Sequence, residues 1–305
     1  MPGTRIRRAT TVVVSHAGPI ARAMVREWRE DRVAGLAAEV AFWGLLSLFP
    51  LLLATAAGLG LLEAVAGSDV AQDAEAEVVD WLQRILTEDA RGTVDAVEDL
   101  FASSSPGLLT ISVIGAIWAA SRGFAAVIRA LDVAYDLDET RGYVRTRVLA
   151  VAMALGSALV GALMLAILVV GPLLGTGREL ADRFSLGEAF AVGWAWARGP
   201  LGFLAIVAWA ATVLHIAPNH KTRWRWDLPG AVLTTVAWGL FSLGFRIYLE
   251  LADETNQVLG VLGGSLITLL WMFLLAVGLL LGGELNAVLI QLGIAPQPED
   301  PSGSR

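Results

Sequence analysis

The feature that most constrains this chain is a series of apolar runs, several of which approach or exceed the ~20 residues a helix needs to cross a ~30 Å hydrocarbon core. Backbone polar groups in that medium must be satisfied within the protein, and a continuous apolar run of this length does so by coiling into a helix. Composition points the same way. Of 305 residues, 56% are hydrophobic and 17% charged, and mean hydropathy is +0.64, whereas soluble domains carry about 25% charged residues. The predicted fold class is all-α, a polytopic membrane protein.

Six spans are predicted, at about 33–62, 108–129, 148–174, a fourth ending near Ala217, 228–249 and 261–291. Residues 1–32 read as a basic segment on the cytoplasmic side. Its apolar stretch Thr11–Val14 is too short for a signal-peptide core, so the segment is expected to stay in the mature chain. Within it Ile20, Met24 and Trp28 recur at helical spacing with Arg22, Arg26 and Arg29 on other faces, the pattern of an interfacial helix or of a helix packed on a neighbour. Residues 63–107 form an insert between spans one and two, read as external amphipathic helices; it holds eleven acidic residues. Residues 33–291 make up the membrane domain, and 292–305 a disordered cytoplasmic tail.

Lysine and arginine set the orientation. With the N-terminus, the 129–147 and 218–227 loops and the tail on one side, that side carries 15 basic residues and the opposite loops carry 5. Both termini are therefore predicted to be cytoplasmic. The net charge of −7 argues against nucleic acid as a partner, since such binders show a basic stripe. The absence of cysteine excludes disulfides and thiolate metal sites. His16, His215 and His220 have no metal-ligand spacing, and neither H-E-x-x-H, G-x-S-x-G nor a Walker loop occurs. No catalytic residue, metal or cofactor is predicted.

Charges placed inside a span cost about 2.5–3.5 kcal/mol each and usually pair or line a cavity. At ~1.5 Å per residue, Glu39 lies roughly 9 Å from the cytoplasmic start of span one and Arg122 roughly 21 Å below the outer face. Glu284 and Asn286 lie near the inner end of span six. These four residues are the candidate polar cluster, with Arg122 expected between Glu39 and Glu284; a structural ion-pair set and a transport path both fit. Pro50 should kink span one. GPLLG (171–175) and GLLLG (278–282) match small-xxx-small helix packing.

The segments AAEVAFWGLLSLFPLLL (37–53), IWAASRGFAAVIRALDVAYDLDETRGYVRTR (117–147), WRWDLPGAVLTTVAWGLFSLGFRIYLE (224–250) and LLWMFLLAVGLLLGGELNAVL (269–289) resemble the YihY/BrkB family of bacterial membrane proteins. The resemblance covers nearly the whole core, in order. It carries over as Ser47, Pro50, Trp118, Arg122, Gly123, Arg129, Tyr135, Glu139, Arg141, Pro229, Gly230, Glu284, Leu285, Asn286 and Ala287. Two positions depart from the family pattern: Asp132 stands where asparagine is usual, and Leu259-Gly260 where a Tyr-Gly pair is usual. The resemblance also brings the label "ribonuclease BN", which the missing nuclease constellation argues against.

The expectation is an inner-membrane transporter or lipid-handling protein with a polar inner-leaflet cavity. Arg129, Glu139, Arg141 and Arg145 are candidates for a cytoplasmic gate or for headgroup contact. The alternative is a non-transporting envelope scaffold that recruits partners through the acidic external helices. Membrane lipids are the expected partners, with an envelope protein or a second copy of the chain as further ones.

Overall fold

A computed structural model describes residues 18–47, 106–137, 139–165, 187–219, 222–252 and 260–296. The external insert, Pro50, GPLLG and the tail after residue 296 fall outside them, apart from the first residues of the next helix. Seven α-helices occur among the described residues: α1 (18–30), α2 (Val33–Ser47), α3 (Pro106–Ala134), α4 (Tyr143–Leu165), α5 (Gly187–Ile216), α6 (Leu228–Ala252) and α7 (Gly260–Gln291). A 3-10 turn, Trp224–Trp226, precedes α6.

Four of these helices are long and apolar enough to cross a membrane, over Tyr143–Gly161, Gly199–Ile216, Leu228–Leu249 and Leu266–Gln291. The last three end where the fourth, fifth and sixth expected spans end; α3, over the second expected span, is not among the four. α4 starts at Tyr143 rather than near 148, and the expected end of its span near 174 lies outside the described residues. Arg145 and Arg147 thus belong to its first turns. The described part of the first expected span is the shorter apolar helix α2.

Large side chains such as Leu155, Leu159, Leu204, Leu240 and Leu243 are exposed, as expected where the surrounding solvent is lipid. The interior is built from small residues. Ala125 and Ala130 on α3, Ala210 and Ala211 on α5 and Ala276 on α7 are buried around Ile128, Leu131, Leu214 and Leu280. With no hydrophobic force between helices in lipid, close packing of small residues holds such bundles together. α7 packs against α6, α3 and α5, and α4 lies against α3. The GLLLG segment is where α7 meets α6: Trp238 lies over Gly278, and Gly282 faces Gly230 and Thr234.

Helix ends on one side are sharply defined. Asp136 after α3 and Gly293 after α7 have φ of 52° and 68°. In each case the next residue donates back to a carbonyl five positions earlier, Leu137 N to Asp132 O at 2.8 Å and Ile294 N to Leu289 O at 2.9 Å. These are Schellman closures, which satisfy the otherwise orphaned last carbonyls. The turn after α1 closes at Arg32, also left-handed at φ 52°. Ile20, Met24 and Trp28 of α1 turn inward as the spacing predicts, while Arg22, Arg26 and Arg29 stay exposed. Trp28 packs on the core, and buried Glu27 joins the inward face.

Candidate functional site

The turns after α1, α3 and α7 and the 217–227 loop gather at one end of the bundle, here the arginine-rich end. Its centre is Asp132, 3% exposed on the last turn of α3. One carboxylate oxygen accepts the Asn219 N–H at 2.7 Å and the other accepts Arg141 Nη2 at 3.3 Å. The Arg141 side chain is itself largely enclosed, 8% exposed. It also donates to the Ala217 carbonyl at 2.9 Å, capping the C-terminal end of α5, and to Glu139 at 2.8 and 2.9 Å. Asn219 Nδ2 donates to Thr140 Oγ1 at 2.7 Å. The guanidinium fork thereby ties α3, the loop after it and α5 into one unit, a geometry a lysine ammonium cannot reproduce.

A second knot starts α6. Asp227, 2% exposed, faces His215 Nδ1 at 2.8 Å. Asn286 accepts the Gly230 N–H at 2.8 Å and donates to the Asp227 carbonyl at 3.2 Å. Asn286 is therefore a clasp between α6 and α7, apart from the polar cluster expected of it.

Burial pushes three carboxyls at this end, Asp31, Asp132 and Asp227, up to about 6. The Asn219 N–H and Arg141 oppose the rise at Asp132, and His215 opposes it at Asp227. Burial works against Glu139 too, but its bonds to Arg141 outweigh that and hold it below the ordinary range. Between their ordinary value of 3.8 and about 6, the three aspartates bind more protons folded than unfolded. Stability is therefore expected to fall as pH rises through that window. Glu139 acts with the opposite sign, losing its stabilising contribution as pH falls. Thermal unfolding midpoints in detergent, at fixed ionic strength from about pH 4 to pH 8, check this; a midpoint rising with pH would contradict the net assignment.

Glu284 on α7 is 1% exposed, and neither carboxylate oxygen has a hydrogen-bond partner among the described residues. Asp31, Glu27 and Asp136 are its acidic neighbours. Arg122 does not join it. The Arg122 guanidinium lies 5.2 Å from the Trp43 ring centre and 5.1 Å from that of Trp118, exposed on the flank of α3 and without a salt bridge among the described residues. Glu39 pairs instead with Arg129. The expected convergence of Glu39, Arg122 and Glu284 is thus replaced by three separate environments, because Arg129, two helical turns from Arg122, is the arginine level with Glu39.

Of the four loop candidates, Glu139 and Arg141 are locked together, Arg129 serves Glu39, and Arg145 is exposed at the start of α4. An apolar crevice of about 300 Å³ lies between α2 and α7, lined by Ala38, Phe42, Leu266, Leu269, Leu270 and Phe273. It is lined by hydrocarbon, unlike the polar cavity expected from the sequence. Phe42 packs edge-on against Trp43, with ring centres 5.4 Å apart, so the crevice borders the Arg122 site. Sequence reading missed Asp132 and the His215–Asp227 pair as organising residues. The one available signal was the departure from asparagine at 132.

Comparison with known proteins agrees with a membrane bundle. The sequence profile of the virulence factor BrkB family matches residues 24–303. A ribonuclease-like protein, YfkH, of Bacillus subtilis is 29% identical over 255 residues, 83% of this chain and 88% of that protein. A UPF0761 membrane protein of Xanthomonas oryzae pv. oryzae is 30% identical over 105 residues, 34% of this chain and 24% of the relative's own length. No solved structure matches. With a match that spans nearly its whole length and a bundle of long apolar helices, this chain belongs to the virulence factor BrkB family of membrane proteins.

Proposed function

We propose that this protein handles lipids in the bacterial inner membrane, with Arg122 engaging a phospholipid phosphate and the α2–α7 crevice taking an acyl chain. The observation that carries this reading is the state of Arg122: a charged, exposed guanidinium midway along a helix, bracketed by Trp43 and Trp118 and without a carboxylate partner among the described residues. Cation–π contacts contribute about 2 kcal/mol or more when desolvated, yet they leave the guanidinium's donors available. A phosphate oxygen is the anion that lipid can bring, and Arg binds it bidentately. The adjoining crevice is apolar and of a size for part of one chain.

The same proposal places six spans in the membrane with both termini in the cytoplasm and the arginine-rich end facing the anionic inner leaflet, where each nearby basic residue contributes about 1 kcal/mol of attraction. It assigns the chain no catalytic role and no nucleic-acid partner. The ribonuclease-like name belongs to YfkH, and this sequence contains neither the H-E-x-x-H spacing nor a clustered His/Asp motif.

Proteoliposomes containing a phospholipid with a photoreactive group near its phosphate test the reading. Crosslinks are expected at α2 and α3 around Trp43 and Trp118. Arg122→Gln should reduce them about tenfold or more, the loss of one charge-assisted contact of about 1.5–3 kcal/mol, while Arg122→Lys retains part. Equal crosslinking by wild type and a folded Arg122→Gln protein would sink the lipid reading.

A further inference from the structure

At one place in the arginine-rich end, carboxyls act on one another. Four acidic side chains meet there from three elements: Glu27 of α1 and Asp31 of the turn after it, Asp136 of the turn after α3, and Glu284 of α7. Glu30 adds a further negative charge acting on Asp31. Arg26 is engaged by Glu27, and the Gln291 amide donates to Asp136 at 3.3 Å. The buried Tyr135 ring also adjoins Glu284, and burial raises its hydroxyl far above any working pH, so it supplies no charge. Glu284, 1% exposed, receives no hydrogen bond of good geometry at either oxygen among the described residues.

An ionised carboxylate cannot rest in such a place cheaply. Removing one from water without a partner costs several kcal/mol, and three more negative groups add repulsion. Two carboxyls brought together under these conditions settle by sharing one proton, because both cannot ionise at once. Asp31 is the natural second member. Of the acidic groups around Glu284 it is the one within hydrogen-bonding reach, and with both groups ionised neither has a proton to donate. Burial and the charges of Asp136 and Glu27 already push Asp31 up to about 6.

We propose that Glu284 and Asp31 form a proton-binding site, holding one proton between them and fastening the turn after α1 to α7. The site does not depend on the lipid reading of Arg122, which lies on another face of α3. Loss of the proton leaves two facing anions beside Glu27 and Asp136, and repulsion then drives α1 away from the bundle. Such movement would bend the chain at the two-residue α1–α2 link, where Arg32 is left-handed.

Infrared difference spectra of the full-length protein in lipid nanodiscs test this. A carbonyl band of a protonated carboxylic acid is expected to bleach as pH rises from about 5 to about 9; E284Q should lose the component that bleaches last and keep the one near pH 6 that Asp31, Asp132 and Asp227 supply. Over the same range, protease cleavage within α1 should accelerate about tenfold in wild type, the change one unit of proton linkage implies, and stay flat in E284Q, whose amide imitates the protonated acid. D31N guards against misfolding of that variant: it removes a like charge, so the band should persist but bleach at a lower pH. The proposal is overturned if the band survives unchanged in folded E284Q, or if D31N leaves its midpoint in place. It is equally overturned if no such band appears at any pH and added sodium or calcium stabilises the wild type instead, which would make the ligand a metal cation.

Discussion

Arg141→Met is expected to destabilise the arginine-rich end by about 3–5 kcal/mol, because it leaves Asp132 as a buried charge without its cation. The loss is compound. Asp132 keeps only the Asn219 N–H as a donor, the Ala217 carbonyl at the end of α5 loses its cap, and Glu139 loses its partner. Methionine matches much of the volume of the arginine stem, so a cavity contributes little and the effect isolates the polar knot. Arg141→Lys should restore only part of the stability, since one ammonium cannot reach a carboxylate, a carbonyl and a second carboxylate along the directions of a planar fork. Asp132→Asn in the Arg141→Met background is expected to recover a substantial share, because asparagine can still accept the Asn219 N–H without burying a charge. Thermal unfolding of wild type, Arg141→Met, Asp132→Asn and the double variant in the same detergent forms a double-mutant cycle that measures the coupling. Strictly additive effects of the two substitutions would show that Arg141 and Asp132 do not act as a pair.

This knot also marks how far the sequence could be read. Long apolar runs announce α4 through α7 because the bilayer imposes a minimum length, and the small-residue spacing of GLLLG points to a helix contact. Depth along each span is also legible, at ~1.5 Å per residue, which is why Glu39, Arg122 and Glu284 suggested a shared layer. Their azimuth is not. A helix's periodicity says which residues share its own face and nothing about which neighbour that face meets. Arg129, seven residues after Arg122, lies on nearly the same face two turns away, and it takes Glu39. His215 and Asp227 sit on either side of a loop whose turn at Trp224–Trp226 brings them to 2.8 Å, and their separation in sequence carries no sign of it. Buried polar partners of this kind are settled by tertiary closure, after the spans are formed.

The crossing of α6 and α7 gives the second large effect. Gly282→Leu is expected to abolish the folded protein at ordinary expression temperature. A Cβ at position 282 would fall within van der Waals distance of Thr234 Oγ1 and, at 2.5 Å, of the Gly230 carbonyl oxygen. Gly230 in turn has no room for a side chain, since its Cβ would strike the Gly282 carbonyl oxygen and, at 2.5 Å, Asn286 Nδ2. The two carbonyl oxygens are backbone atoms, whose contacts no rotamer change relieves. Overpacking of a core costs about 1–3 kcal/mol when side chains can shift; here the helices themselves must separate. Separation would pull the Gly230 N–H from Asn286 and Asn286 from the Asp227 carbonyl, leaving buried polar groups unpaired at a further cost of about 1–3 kcal/mol each. Gly278→Ala offers a graded control, because its Cβ would meet the edge of the Trp238 ring at 2.7 Å, and a side chain can tilt where a backbone cannot. The expected order of monodisperse yield in size-exclusion profiles is wild type, then Gly278→Ala, then Gly282→Ala, then Gly282→Leu. A Gly282→Leu protein that elutes and melts like wild type would mean that α6 and α7 do not cross at these glycines.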